Sequence, residues 1–138
     1  MDFIERGAPV MKKILVIEDD PVSGTVYQRF LQAHGFITEV AKDGLAGLER
    51  LTIFQPDAVL LDMMMPKLGG VDVLKRIRSQ EATRDLPVIV LTNAAVPAFV
   101  DQAMQAGANH VFDKSKATPS GMLGLLQRML HIDPTVPV

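Results

Sequence analysis

In this 138-residue chain, four polar positions stand at or just after the ends of short apolar runs, and side chains of these types could together move a phosphoryl group. Glu18-Asp19-Asp20 follows Ile14-Leu15-Val16-Ile17, and Asp62 closes Ala58-Val59-Leu60-Leu61. Thr92 ends a third run, from Val88, and Lys114 lies two residues past Val111-Phe112. Crowded carboxylates raise one another's pKa values unless a positive group sits among them, and oxygen-only ligands favour a hard cation such as Mg²⁺. An acidic metal site, a carboxylate nucleophile, a hydroxyl donor and a fixed cation are the parts that phosphoryl transfer to a carboxylate requires. Taken singly, each has an ordinary reading: Asp62 as a turn or cap, Thr92 as a strand-end β-branched residue, Lys114 as a solvated charge. Their joint placement favours the chemical reading.

That placement depends on a parallel sheet, whose functional crevice lies at the carboxyl ends of its strands. From Lys13 the chain alternates five times between a short apolar run and an amphipathic segment, the pattern of a sheet covered on both faces. The fold class is therefore α/β. Strands are predicted over 13–18, 36–40, 58–62, 88–92 and 109–112. Helices are predicted from Pro21 to His34, over 44–54, around Val71, Val73, Leu74 and Ile77, over 97–106 and over 119–130. Asp20-Pro21 supplies an N-cap with proline at the first helical position, and Gly35 stops the first helix. Leu45, Leu48 and Leu51 are expected on the buried side of the second helix. Residues 1–10 read as a loose leader, 11–131 as one domain, and 132–138, with Pro134 and Pro137, as a tail.

Composition narrows the function. A net charge of -2 with scattered Lys and Arg gives no basic field for nucleic acid, so direct DNA or RNA binding is not expected. The absence of cysteine excludes disulfides, thiolate metal sites and a cysteine nucleophile. No apolar stretch is long enough to cross a bilayer and the first ten residues lack a secretory pattern, so the chain reads as cytoplasmic. His34, His110 and His131 have no spacing suited to a metal or acid–base site, and Met63 to Met65 reads as loop and core packing.

The sequence Ile14-Leu15-Val16-Ile17-Glu18-Asp19-Asp20, then Leu61-Asp62-Met63-Met64-Met65-Pro66 with Gly70, then Leu91-Thr92, Gly107-Ala108 and Lys114, resembles bacterial response-regulator receiver domains. The likeness runs from about Met11 to Leu130. It implies a flavodoxin-like, doubly wound (βα)5 receiver fold with strand order 2-1-3-4-5, the topology of chemotaxis receivers. It also implies Asp62 as phosphoacceptor, Asp19 as direct Mg²⁺ ligand, Glu18 as an indirect one, and the Met64 backbone carbonyl as a further ligand. Thr92 and Lys114 would contact the transferred group, and Asp20 would serve as helix cap. The implied partners are a sensor histidine kinase or histidine phosphotransfer protein, and a downstream effector on the face of the fourth helix, fifth strand and fifth helix. On that face Val96, Phe99, His110 and Val111 are the candidate switch residues.

Several positions depart from the family pattern. Val111 stands where receivers place a switch aromatic, Ser115 replaces the proline that commonly follows the lysine, and Asn93 replaces a smaller residue after Thr92. Phe112 is expected in the core. Met64 and Ala94, at the positions that tune dephosphorylation in the family, offer an attacking water no side-chain hydrogen bond, so slow self-dephosphorylation is expected. The uncharged stretch from Ala94 to Val100 suggests an exposed apolar patch, and with a helix five lacking the basic dimerisation pattern it favours a stand-alone or phosphorelay receiver. Such a receiver is no enzyme beyond its own phosphorylation and dephosphorylation. One alternative is a degenerate receiver that acts only as a binding module. Another is an aspartyl-phosphate phosphatase of the haloacid dehalogenase type, which needs a second Asp where Met64 stands.

Overall fold

Branched apolar runs too short for a buried helix become strands, and a computed structural model describes them within residues 11–93, 96–115 and 118–132. The strands are β1 (Lys13–Ile17), β2 (Ile37–Ala41), β3 (Ala58–Asp62), β4 (Val88–Thr92) and β5 (His110–Asp113). They alternate with helices α1 (Pro21–Ala33), α2 (Gly44–Phe54), α3 (Gly70–Ser79), α4 (Pro97–Gln105) and α5 (Pro119–Met129), and a short 3-10 turn, Glu81–Thr83, follows α3. All pairings are parallel and the sheet order is β2-β1-β3-β4-β5. This is the expected doubly wound order. Residues 1–10, 94–95, 116–117 and 133–138, which include the leader, Ala94 and most of the tail, lie outside the described residues.

Side chains alternate across a strand, and that alternation builds two cores. Ile14, Val16, Leu60, Ile89, Leu91 and Phe112 pack on one face of the sheet with Leu31 of α1 and Met122, Leu125 and Leu126 of α5. Leu15, Ile17, Val59, Leu61 and Val90 pack on the other with Leu51, Val73, Leu74, Ile77 and Ala103 from α2, α3 and α4. β3 is buried along its whole length, so Asp62 at its end is carried into the interior by its neighbours.

Several element ends fall one residue from expectation, β1 closing at Ile17 among them, and three shifts have a visible cause. β2 begins one residue late, because the Phe36 N–H is used to close α1 on the Leu31 carbonyl at 3.0 Å, while Gly35 takes φ 89°. β5 likewise runs from His110 to Asp113, because the Asn109 side chain instead accepts from the Val88 N–H at 2.8 Å and from Arg78 Nη2 at 2.9 Å. Leu45 is exposed, and the buried side of α2 is Gly44, Gly47, Leu51 and Phe54. A Cβ on Gly47 would stand 2.5 Å from Ile17 Cδ1, so close helix-to-sheet contact takes the place of a leucine stripe.

Candidate functional site

Parallel strands of matched register bring the polar residues to one edge. Ile17 pairs with Leu61, Asp62 with Leu91, and Thr92 with Asp113, so the ends of β1, β3, β4 and β5 lie side by side. Glu18 follows β1 and its N–H donates to the Ala41 carbonyl at 3.0 Å. The Lys114 N–H donates to the Thr92 carbonyl at 2.8 Å, which ties the two non-acidic members together through the main chain. Behind Asp62 the loop to α3 turns so closely that a Cβ on Gly70 would meet the Asp62 carbonyl oxygen at 2.6 Å. Only glycine permits that approach.

Glu18, Asp19 and Asp62 each present a carboxylate oxygen, and these oxygens lie within 4.8 Å of one another. Glu18, Asp62 and Thr92 are buried, whereas Asp19 faces solvent. Lys114 Nζ reaches across and donates to Glu18 Oε1 at 2.7 Å. The Met64 N–H donates to Asp62 Oδ1 at 3.4 Å, and the Met64 side chain is exposed. Asp20 is used elsewhere, accepting from the Val22 N–H at 3.2 Å and the Ser23 hydroxyl at 2.9 Å as the cap of α1. It is the helix cap that its place before Pro21 leads one to expect.

Buried carboxylates this close cannot both hold full charge, and the site divides the burden unequally. Burial above all, then the hydrogen bond and charge of Glu18, push the Asp62 carboxyl up to about 7, against the attraction of Lys114 and the Met64 N–H. Burial also works to raise Glu18, but hydrogen bonds from Asp62, Lys114 and the Asp20 N–H outweigh it and hold that carboxyl below its usual value. Burial works to lower Lys114, yet the hydrogen bond and charge of Glu18, with Asp62 and Tyr27, hold it above the usual lysine range. One cation among three carboxylates leaves a negative, oxygen-lined site, and a hard divalent cation is the ligand that such a donor set fits.

The candidate switch residues fall outside this cluster. Val96, Ala98 and His110 are exposed, while Phe99 and Val111 pack partly against the core shared by α2, α3 and α4. The expected apolar patch is thus smaller than the sequence suggests, since Phe99 turns inward. Phe112 is in the opposite core, as expected. Tyr27 of α1 is a neighbour of the site that the sequence pattern does not mark. It is half-buried, burial raises its hydroxyl pKa, and it feels the charges of Lys114, Glu18 and Asp62. With Lys114 and Asn93 it lines a cleft of about 320 Å³ beside the site. Only the helical placement of Tyr27, seven residues past Asp20, could have signalled this.

Comparison with known proteins agrees with the geometry. A family model for the response regulator receiver domain matches residues 14–123. The chain is 36% identical over 117 residues to the response regulator MprA of Mycobacterium ulcerans, covering 85% of this chain and 48% of that protein. It is 35% identical over 104 residues to the DNA-binding dual master transcriptional regulator RpaA of Synechocystis sp., covering 75% of this chain and 43% of that protein. The chain therefore spans about half the length of the curated relatives it matches. Among solved structures, the Vibrio cholerae chemotaxis protein CheY4 superposes with a TM-score of 0.82 at 27% identity, over 86% of this chain and 98% of that one. The receiver domain of sensor histidine kinase PA1611 from Pseudomonas aeruginosa PAO1, which has a magnesium ion coordinated in its active site cleft, gives 0.81 at 30% identity, over 88% and 99%. Among the described residues no helix is long and apolar enough to cross a membrane.

Proposed function

The chain belongs to the response regulator receiver domain family, and from that premise we propose that it accepts a phosphoryl group from phosphohistidine onto Asp62 and thereby changes a partner-binding surface. The observation that carries this reading is the convergence of the Glu18, Asp19 and Asp62 oxygens within 4.8 Å, with Lys114 paired to Glu18 at 2.7 Å beside them. In the reaction an Asp62 oxygen attacks phosphorus, the new O–P bond forms as the N–P bond breaks, and the imidazole nitrogen keeps the electron pair. Asp19, Asp62 and the Met64 carbonyl would hold Mg²⁺ directly and Glu18 indirectly. When bound, the ion offsets charge on the carboxylate and phosphoryl oxygens. Lys114 supplies a fixed positive charge to the transferred group, and Thr92 donates its hydroxyl to it.

The energetics limit how far Thr92 alone can switch the domain. A charge-assisted hydrogen bond contributes roughly 1.5 to 3 kcal/mol, whereas moving a population from 1:99 to 99:1 needs about 5.5 kcal/mol. Lys114 and the bound partner must supply the remainder, so the isolated domain shifts only partly. The phosphodonor is a sensor histidine kinase or histidine phosphotransfer protein. The effector meets the face of α4, β5 and α5, where Val96 and His110 are exposed. The setting is cytoplasmic, the role is signalling, and the only reactions catalysed are the domain's own phosphorylation and dephosphorylation.

Intact mass tests this directly. The wild-type chain, incubated with Mg²⁺ and a small acyl phosphate, is expected to gain one phosphoryl adduct that EDTA prevents and Asp62→Asn abolishes. No adduct from either that donor or a phosphohistidine donor would overturn the reading in favour of a phosphorylation-independent binding module.

A further inference from the structure

The residue directly after Lys114 is Ser115, not proline, and a polar turn occupies that place. The Asp113 carboxylate oxygen Oδ1 accepts from the Ser115 N–H at 2.9 Å and from the Ser115 hydroxyl at 2.6 Å. Asp113 is the last residue of β5 and lies opposite Thr92 across the β4–β5 pairing. Lys114 is thus enclosed. Its own N–H is held by the Thr92 carbonyl at 2.8 Å, the next N–H is held by the Asp113 side chain, and its ammonium meets Glu18 Oε1 at 2.7 Å. An aspartate that accepts from the N–H two residues on imitates a backbone turn and fixes the residue between them.

We propose that Asp113 and Ser115 are positioning residues that lock the main chain on both sides of Lys114, so that its ammonium stands ready over the Asp62 site. The inference rests on the phosphoacceptor reading above. A lysine side chain has many rotamers to lose, and anchoring its backbone removes the further freedom of the loop that carries it. The chemical requirement is specific: one oxygen acceptor at position 113 and two donors, N–H and O–H, at position 115. Asparagine meets the first requirement and alanine does not. Threonine meets the second, alanine keeps only the N–H, and proline supplies neither.

The test is a graded series in the full chain: Asp113→Asn, Asp113→Ala, Ser115→Thr and Ser115→Ala. The limiting rate of Asp62 phosphorylation is measured against the concentration of a small acyl phosphate, together with hydrogen exchange of the Ser115 amide in metal-free protein. Asp113→Ala is expected to lower the limiting rate about 5- to 10-fold, with half-saturating donor concentration little changed, because alignment and not binding is lost. Asp113→Asn and Ser115→Thr should stay near wild type, and Ser115→Ala should fall between. The Ser115 amide should be protected in wild type and Asp113→Asn and exchange freely in Asp113→Ala. An unprotected Ser115 amide in wild type, an unchanged rate in Asp113→Ala, or an Asp113→Asn defect as large as Asp113→Ala would each overturn the proposal. A wild-type chain that takes no phosphoryl group would instead overturn the phosphoacceptor reading, and with it the role assigned to the turn.

Discussion

Lys114 Nζ and Glu18 Oε1 lie 2.7 Å apart although 96 residues separate them, and the two side chains are only 12% and 1% exposed. The ammonium thus pairs with Glu18 and leaves Asp62 without a full counter-charge, which is the physical reason the Asp62 carboxyl is pushed up to about 7 by its burial. Asp62, the proposed phosphoacceptor, is held between its acid and ionised forms, and whatever adds positive charge tips it toward the carboxylate.

Removing Lys114 leaves Glu18 buried beside Asp62 with no cation, and an unpaired buried charge is costly. Lys114→Met is expected to lower unfolding free energy by about 2 to 4 kcal/mol at pH 7. Urea denaturation of Lys114→Met, Glu18→Gln and the double variant should give a double variant more stable than the sum of the singles predicts. Glu18 is held below its ordinary value of 4.5, so its pairing stabilises above that pH and is lost as pH falls. The penalty of Lys114→Met should shrink accordingly in acid.

Asp62→Asn should stabilise the fold at neutral pH. Because the folded Asp62 carboxyl is raised from 3.8 to about 7, its contribution to stability is full below 3.8 and is lost as pH rises to about 7. The full interval corresponds to about 4 kcal/mol, and sharing of the proton with Glu18 reduces what a neutral amide recovers to about 1 to 2 kcal/mol. Denaturation at pH 7.5 and pH 4.5 checks the sign, with the gain expected at the higher pH and nearly absent at the lower. Equal gains at both would refute the assignment of the strain to Asp62 ionisation.

Magnesium should shift the titration of Asp62. Without the ion its carboxyl titrates near 7, and a divalent charge among the same oxygens favours the carboxylate. Carboxyl carbon resonances followed against pH should show the Asp62 midpoint move to lower pH when Mg²⁺ is added. Asp19→Asn, which removes the exposed member of the cluster, should weaken that response.

Most of this site was legible because its parts end or closely follow apolar runs. Parallel strands of equal length put run ends together whatever the helices do, so Glu18, Asp62 and Thr92 were placed by hydrophobic pattern alone. The α2 face was not legible, since Gly47 is buried by contact with Ile17 and a glycine carries no hydropathy signal, while Leu45 advertised burial that it lacks. Arg78 was equally hidden. Its guanidinium donates to the Gly107 carbonyl at 2.9 Å and the Leu86 carbonyl at 2.7 Å, bonds set by a rotamer and three loops rather than by spacing. The hold of Lys114 on Glu18 is of the same kind: the sequence supplies both charges, and the pairing follows only from where β5 ends.

The lifetime of the phosphorylated state should be long, and Met64 is the residue that tests why. Met64 is 64% exposed two residues past Asp62, and its backbone N–H already donates to Asp62 Oδ1 at 3.4 Å. A thioether is at most a weak acceptor, so it gives an attacking water no firm orientation. Asparagine offers both a donor and an acceptor at that position, and orienting a water is worth less than the roughly 10² to 10⁴ of full general acid–base catalysis. Met64→Asn is therefore expected to speed loss of the phosphoryl group roughly 10-fold, with the rate of phosphorylation by a small acyl phosphate changed far less. Decay of the adduct followed by intact mass separates the two rates. If wild type decays as fast as the asparagine variant, water orientation at this position does not set the lifetime.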